Sequence, residues 1–533
     1  MNVAEAVARI LVACGADHAF GLIGSGNFHV TNAFVAAGGR FTPAVHEGGA
    51  ASMADGWART TGRPAVLTVH QGPGVTNAFT GIAEAAKSRT PLIVLAPEAT
   101  NPRSNFHLDL PALAAAVGAG FIRVSSAADV VAALREERTV VLGLPLDVQT
   151  AEAPGGASIP PAPPKPAPAV DAAPLAAALR VARRPVFIAG RGATRSHGAR
   201  DALVALAGHR GALLATSAAA KGLFAGEPWS LDVSGGFATP LAAELIGGSD
   251  LVVAFGSTLN MWTTRHGRLI DPAAVVAQVD TDPAALGVNR PVDVGVAGDV
   301  ATVARSCLEL LDEAPGWRGP ALLQRIAAEG AWRSVAYTDE SGAGRIDPRT
   351  LSIALDDLLP AQRTVVIDSG NFMGYPSMFL SVPDRAGFLF TQAFQSVGLG
   401  LAGALGAAVA RPDRLTVAAL GDGGFLMSAA ELATAAALGA PLLVVVYDDA
   451  AYGAEVHHFG PDGHPLDLVR LPDRDLAAIG RGYGCAGVTV RTRDDLAPVA
   501  EWLAGDRARP LVVDAKVTAE RGAWWLEEAF RGH

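Results

Sequence analysis

Short, mostly apolar runs recur along the chain, many of them closed by glycine, proline or an acidic residue and followed by a stretch with helical spacing. Positions 20–22, 65–69, 92–96 and 140–142 carry such runs early on, after a helix-like pattern over 3–14. The theme returns at 186–189, 251–255 and 275–279, and again at 364–368, 415–420 and 441–446. Strands that are apolar throughout and separated by helices belong to parallel sheets covered on both faces. The pattern predicts an α/β chain of three doubly wound parallel-sheet domains, over residues 1–150, 173–315 and 345–520. The first and last share one rhythm. Residues 151–172 are rich in proline and alanine, including Pro160, Pro161, Pro163 and Pro164, which suits an extended linker.

Composition narrows the function classes. A chain of 533 residues is too long for one core. Its net charge of −10 comes with arginine far ahead of lysine and no basic stripe, so nucleic acid is not an expected partner. Cys14, Cys307 and Cys485 stand alone, as in a reducing compartment. The start, Met-Asn-Val-Ala-Glu-Ala-Val, has no positive segment or cleavage-like site, and no apolar run reaches membrane-spanning length. The expectation is a cytoplasmic protein without a membrane partner.

The densest chemistry lies in the last unit. The apolar run 415–420 ends at Gly421-Asp422-Gly423-Gly424-Phe425, and the run 441–446 leads to Asp449, 27 positions after Asp422. Neighbouring strands would bring both carboxylates to one sheet edge. A helix start beside them attracts anions, and Gly423 and Gly424 let a phosphate reach backbone N–H groups. Two hard oxygen ligands beside such a nest suit a Mg²⁺ ion carrying a diphosphate. Ser428 and Glu431 have the spacing of a capping box, which predicts a helix from Ser428. In the middle unit, Gly190-Arg191-Gly192 lacks the third glycine of a dinucleotide site. Trp262, Arg265 and His266 follow a strand end, where open α/β sheets bind ligands.

The Gly-Asp-Gly turn with its downstream Asp-Asp-Ala-Ala-Tyr-Gly resembles the thiamine diphosphate signature. Val45-His46-Glu47-Gly48-Gly49-Ala50, Gln71-Gly72-Pro73-Gly74-Val75-Thr76-Asn77 and Pro91-Leu92-Ile93-Val94-Leu95-Ala96 resemble the pyrimidine-binding domain of the same enzymes, acetolactate synthase-like and benzoylformate decarboxylase-like. The resemblance covers nearly the whole chain and makes the three units pyrimidine-binding, middle and diphosphate-binding. It implies that Asp422, Asp449 and the carbonyl of Ala451 ligate Mg²⁺, with Gly423 and Gly424 at the diphosphate and Val397 holding the cofactor bent. It implies that Glu47 bonds the aminopyrimidine ring and promotes loss of the thiazolium C2 proton. It also implies a homodimer or homotetramer with active sites at the subunit interface. Asp448 stands where the family usually has Asn and is expected to add negative charge beside the metal. FAD, carried in the middle domain of some members, is not expected, since no residue supports it.

For the reaction, Ser25 and His70 match the benzoylformate decarboxylase layout, in which a serine meets the substrate carboxylate and a histidine relays protons. Glu455, six positions after Asp449, matches the catalytic acid of pyruvate-type decarboxylases, with His457 or His458 as its expected partner. His29 and His107 are further candidates for the pocket wall. The resemblance implies an enzyme that makes or breaks a C–C bond next to a carbonyl, acting on a 2-oxo acid by decarboxylation with or without carboligation. His70 and Glu455 point to protonation and a simple decarboxylase, whereas the acetolactate synthase-like flow points to carboligation. A 2-hydroxy ketone lyase is a third outcome. A non-catalytic cofactor-binding paralogue would have lost Glu47, Asp422 or Asp449, and all three are present.

Overall fold

The computed structural model of the chain describes residues 1–153 and 170–526. Three six-stranded sheets, parallel throughout, carry helices on both faces. The first runs in the spatial order Arg40–Pro43, His18–Gly21, Ala65–Thr68, Leu92–Glu98, Val140–Pro145, Gly120–Arg123. The last has the same order of connections: Phe388–Phe390, Arg363–Ile367, Leu415–Gly421, Leu442–Asp448, Leu511–Lys516, Ala486–Val490. The shared rhythm of the two units is thus a shared topology. The middle sheet places Pro185–Ala189 beside Leu251–Phe255 at its centre. Most of the proline-rich segment, 154–169, lies outside the described residues. Its approach is held by the N-terminus, through Val3 N–H to the Ala151 carbonyl and Ala153 N–H to that of Met1, both 3.0 Å.

The strands without an apolar run lie mainly toward the sheet edges. Arg40–Pro43 carries an arginine and a proline and is half exposed, as an edge strand tolerates. Leu511–Lys516 is the exception, since it is fully buried yet carries Asp514 and Lys516. Arg265, in the segment that follows the strand Leu251–Phe255, is engaged within the protein. Arg265 donates to the carbonyls of Gly235 and Ala238 at 2.9 and 3.1 Å, with its guanidinium over the Trp524 ring.

Two equivalent helices join the first and last units. Glu47–Thr61 is capped by His46, whose Nδ1 accepts the Gly48 N–H at 3.0 Å, and ends at Gly62 with φ 74°. It packs against Gly400–Ala410, and glycine makes the crossing close. A Cβ on Gly56 would lie 2.2 Å from the Gly403 carbonyl oxygen, and one on Gly406 only 1.9 Å from that of Met53. Glycine inside a helix costs about 1 kcal/mol in propensity, and the backbone approach is what it permits here. The pairing of Met53 with Gly406 and of Gly56 with Gly403 means that the helices run in opposite directions. At the far end Arg59 bonds Asp55 and Glu84, each at 2.7 Å, and the Phe390 carbonyl at 3.1 Å. Glu84 in turn accepts the N–H groups of Ala393 and Phe394. A Gly406→Ala substitution forces these backbones apart and is expected to lower stability by about 1–3 kcal/mol in chemical denaturation; unchanged stability would mean that the crossing is not tight.

Candidate active site

The Leu415–Gly421 and Leu442–Asp448 strands are parallel neighbours, with Gly421 opposite Tyr447. Asp422 and Asp449 therefore leave the sheet side by side. Asp422 begins the helix Asp422–Ser428 and accepts the Gly423 N–H at 2.9 Å. The helix thus starts at the glycine turn and not at Ser428. Ser428 forms no capping box with Glu431, because its hydroxyl donates back to the Gly424 carbonyl at 2.8 Å. Glu431 instead crosses to the first unit and accepts the N–H groups of His46 and Val45 at 3.0 and 3.3 Å. A buried carboxylate completes the turn that leads into the Glu47 helix.

The Asp422 and Asp449 carboxyls are both held well above the usual carboxylate range. Burial is the main cause, and the neighbouring aspartates add to it: Asp449 and Asp448 for Asp422, Asp448 for Asp449. Such a pair favours a bound cation, which would restore both to the charged form. Nearby, Asn371 Oδ1 is buried and has no hydrogen-bond partner among the described residues. A Cβ on Gly453 would fall 2.3 Å from Asp449 Oδ2 and 3.1 Å from Asn371 Nδ2. Among the described residues no three His, Cys, Asp or Glu side chains converge as a metal cluster. The protein offers two carboxylates and a turn carbonyl, and a diphosphate with water would complete the six oxygens that Mg²⁺ prefers. Thiamine diphosphate with Mg²⁺ fits these residues.

The extra charge expected of Asp448 does not stand free. Lys516 Nζ lies 2.5 Å from Asp448 Oδ2 in the neighbouring strand. Val397 is half-buried beside the glycine turn, its Cγ1 3.2 Å from where a Cβ on Gly424 would sit. The turn behind it has Gly398 at φ +90° and is braced by Asp368, which accepts the Gly398 and Leu399 N–H groups at 2.9 and 3.2 Å. Burial pushes the Asp368 carboxyl up to about 6. Asp368, Asn371 and Lys516 escaped the sequence reading, and Glu431 was read only as a local helix cap. Only Asp368 had a visible signal, as the acid that closes an apolar run.

The first unit gathers a second group of residues. Glu47 is buried and accepts from Asn77 Nδ2 at 3.1 Å. His70 Nδ1 accepts the Gly26 N–H at 3.2 Å, which leaves the ring proton on Nε2. A Cβ on Gly74 would lie 3.1 Å from His70 Cβ and 3.4 Å from Glu47 Oε1, so the two side chains flank one glycine. Ser25 sits exposed between Gly24 and Gly26, which pack on His70, and Phe106 stands edge-on to the imidazole at 5.5 Å. His29 is exposed on the helix Phe28–Ala36. His107 is also exposed, its Nδ1 2.9 Å from the Ala99 carbonyl. Glu455 and His457 belong to the third unit, on the helix Gly453–Phe459. His457 Nε2 is buried without a partner among the described residues, and a Cβ on Gly522 would lie 3.1 Å from His457 Cβ. A cavity of about 260 Å³ between Trp332, Tyr375, Trp524 and Trp525 includes neither carboxylate group in its lining.

Three parallel-sheet domains, the first with a buried glutamate at a helix start and the last with paired carboxylates at a glycine turn, are the frame of a cofactor-binding α/β protein. Comparison with known proteins gives the particular family. The chain matches "Thiamine pyrophosphate enzyme, N-terminal TPP binding domain" over residues 1–115, the central domain over 172–307 and the C-terminal TPP binding domain over 368–515. It is 30% identical to the sulfoacetaldehyde acetyltransferase of Rhodobacter capsulatus, over 99% of this chain and 96% of that one. It is also 30% identical to a probable 2-ketoarginine decarboxylase of Pseudomonas aeruginosa, over 93% and 90%. A putative acetolactate synthase large subunit of Mycobacterium tuberculosis is 28% identical over 91% and 92%. The chain belongs to the thiamine pyrophosphate enzyme family. Among the described residues no helix is long and apolar enough to cross a membrane.

Thiamine diphosphate with Mg²⁺ at a hundredfold excess over Kd is expected to stabilise the fold by about 2.7 kcal/mol, read as a rise in melting temperature. Asp449→Ala should abolish the Mg²⁺-dependent part of that rise; an undiminished rise would remove Asp449 from the metal site.

Proposed function

We propose that the protein is a thiamine diphosphate- and Mg²⁺-dependent enzyme that makes or breaks a C–C bond next to the carbonyl of a 2-oxo acid, by decarboxylation with or without carboligation. Bound thiamine diphosphate supplies a carbon nucleophile for the carbonyl and an electron sink that lets CO₂ leave. Asp422, Asp449 and the Ala451 carbonyl hold the metal and thereby the diphosphate. Glu47 bonds the aminopyrimidine, and Val397 supports the bent cofactor. The observation that carries the reading is Gly74 between Glu47 and His70, since it sets a proton-handling imidazole beside the activating carboxylate. His70, with its proton on Nε2, is the donor and acceptor at the reacting carbon. Ser25, on the exposed turn against His70, meets the substrate carboxylate, and His29 and His107 line the approach.

The proposed assembly is a homodimer or homotetramer. Glu47 lies at the start of its helix, and Val397 lies just before the start of the antiparallel partner helix. With about 1.5 Å of rise per residue, the two side chains of one chain are separated by roughly 20 Å. A single cofactor cannot touch both. Val45, Phe394 and Met427 are exposed at 46%, 45% and 58%, apolar surface that a second copy would cover. The site then combines Glu47 of one protomer with Asp422, Asp449 and Val397 of its partner.

A second reading, simple decarboxylation, is favoured by Glu455 in the first turn of the helix that follows Asp449, where an acid can deliver to carbon the proton that takes the place of CO₂. The relatives' names span acyl transfer and decarboxylation, so they support the reaction class and leave the substrate open.

Incubation with thiamine diphosphate, Mg²⁺ and a panel of 2-oxo acids, with and without acceptor aldehydes, is expected to consume a 2-oxo acid with release of CO₂, as read by mass spectrometry. His70→Ala should lower turnover by roughly 10²–10⁴-fold with cofactor affinity retained. If no 2-oxo acid is consumed by protein with the cofactor bound, the proposed substrate class is wrong.

A further inference from the structure

One buried charge cluster lies directly behind the proposed metal site, and none of the roles above uses it. Strands Leu442–Asp448 and Leu511–Lys516 run in parallel with Asp448 opposite Lys516. Lys516 is 1% exposed, Asp448 2% and Asp514 0%. The ammonium lies 2.5 Å from Asp448 Oδ2, 2.8 Å from Asp473 Oδ1 and 3.1 Å from Asp514 Oδ2, and it also donates to the Arg474 carbonyl. A lysine this deep in a parallel sheet carries a large desolvation cost, which only such a set of oxygens offsets.

The other face of Asp448 looks to the ligand turn. Its Oδ1 accepts the N–H of Ala450 at 2.9 Å, and Ala450 is left-handed at φ 56°. That conformation disfavours an alanine, so something outside the residue must hold it. Next in the chain, the Ala451 N–H bonds toward the carboxylates of Asp422 and Asp449. The backbone of Asp448 is clamped as well: its carbonyl accepts from Arg345 at 3.1 Å and from the Val517 N–H at 2.9 Å. Asp449 and Ala451, the two proposed ligands on this turn, thus flank the residue that Asp448 holds in place.

We propose that Asp448 and Lys516 form a positioning pair for the metal-binding turn. Lys516 fixes one oxygen of Asp448 inside the sheet. The other oxygen holds Ala450 left-handed, so that the Asp449 carboxylate and the Ala451 carbonyl face the cation together. Lys516 also keeps the Asp448 carboxylate turned away from the metal, where it would compete as a ligand. The pair acts through the turn and touches neither cofactor nor substrate. Its assignment rests on the proposed function, in which Asp422, Asp449 and Ala451 hold a divalent ion with a diphosphate.

The test is Mn²⁺ affinity by electron paramagnetic resonance in the presence of thiamine diphosphate, on the full-length protein, with melting temperature measured without ligands. Asp448→Asn keeps an acceptor for the Ala450 N–H and is expected to bind within about threefold of wild type, while Asp448→Ala loses that acceptor and should bind at least ~10-fold more weakly. Lys516→Met frees the carboxylate and should also weaken binding by ~10-fold or more, with Asp448→Asn in the same chain recovering part of the loss. Should Lys516→Met not fold, the Asn and Ala variants of Asp448 decide the matter alone. Wild-type affinity in Asp448→Ala, or an equal loss in Asp448→Asn, overturns the positioning role. Failure of the wild type itself to bind Mn²⁺ with thiamine diphosphate would instead overturn the metal-site reading.

Discussion

The close antiparallel crossing of the helices Glu47–Thr61 and Gly400–Ala410 is the constraint on which the rest depends. It removes side chains where Gly56 meets Gly403 and Gly406 meets Met53, so backbone packs on backbone and little slack remains. The first and last domains are thereby one body, further tied by Arg59 and Glu84 at one end and Glu431 at the other. The consequence is chemical. Each helix start carries a functional group, Glu47 on one and the Val397 turn on the other, and the antiparallel arrangement points them apart. On the proposed reading, a cofactor that must meet both Glu47 and Val397 would find them on two different protomers.

Electrostatics sets the second condition. Asp422, Asp449, Asp448 and Asp514 crowd around the ends of neighbouring strands, where helix starts offer only partial positive charge. Lys516 answers the carboxylates inside the sheet, and a divalent ion is the natural answer to those at its edge. The two compensations differ in kind. Lysine is permanent and orders the backbone, whereas in the proposed function the metal would arrive with its ligand and make binding of the diphosphate conditional on the ion.

Much of this was legible in the chain. The three-sheet α/β fold follows from mostly apolar runs, and the Asp422–Asp449 spacing pointed to adjacent strand ends because strand, glycine turn and helix occur in a fixed order. What escaped has physical reasons. The strand Leu511–Lys516 carries two charges, so its burial could not be read from hydropathy, and with it Lys516 was lost. The Ser428–Glu431 spacing matched a capping box, but Glu431 found stronger partners in the unpaired N–H groups before the Glu47 helix, a long-range competition no local pattern reveals. Asp448 looked like an added charge because its compensating lysine is 68 residues away. Only the fold shows that Gly24, Gly26 and Gly74 make room for His70.

The central claim is that Glu47 and the metal-binding aspartates of one active site come from different protomers. It is tested most directly by mixing two inactive variants, Glu47→Gln and Asp449→Ala, under conditions that exchange subunits, and following thiazolium C2 proton exchange by NMR. In a mixed dimer one of the two sites has both Glu47 and Asp449 intact, so random pairing is expected to restore about a quarter of the wild-type rate. No recovery, with subunit exchange demonstrated, would place both residues of a site on one chain and contradict the account.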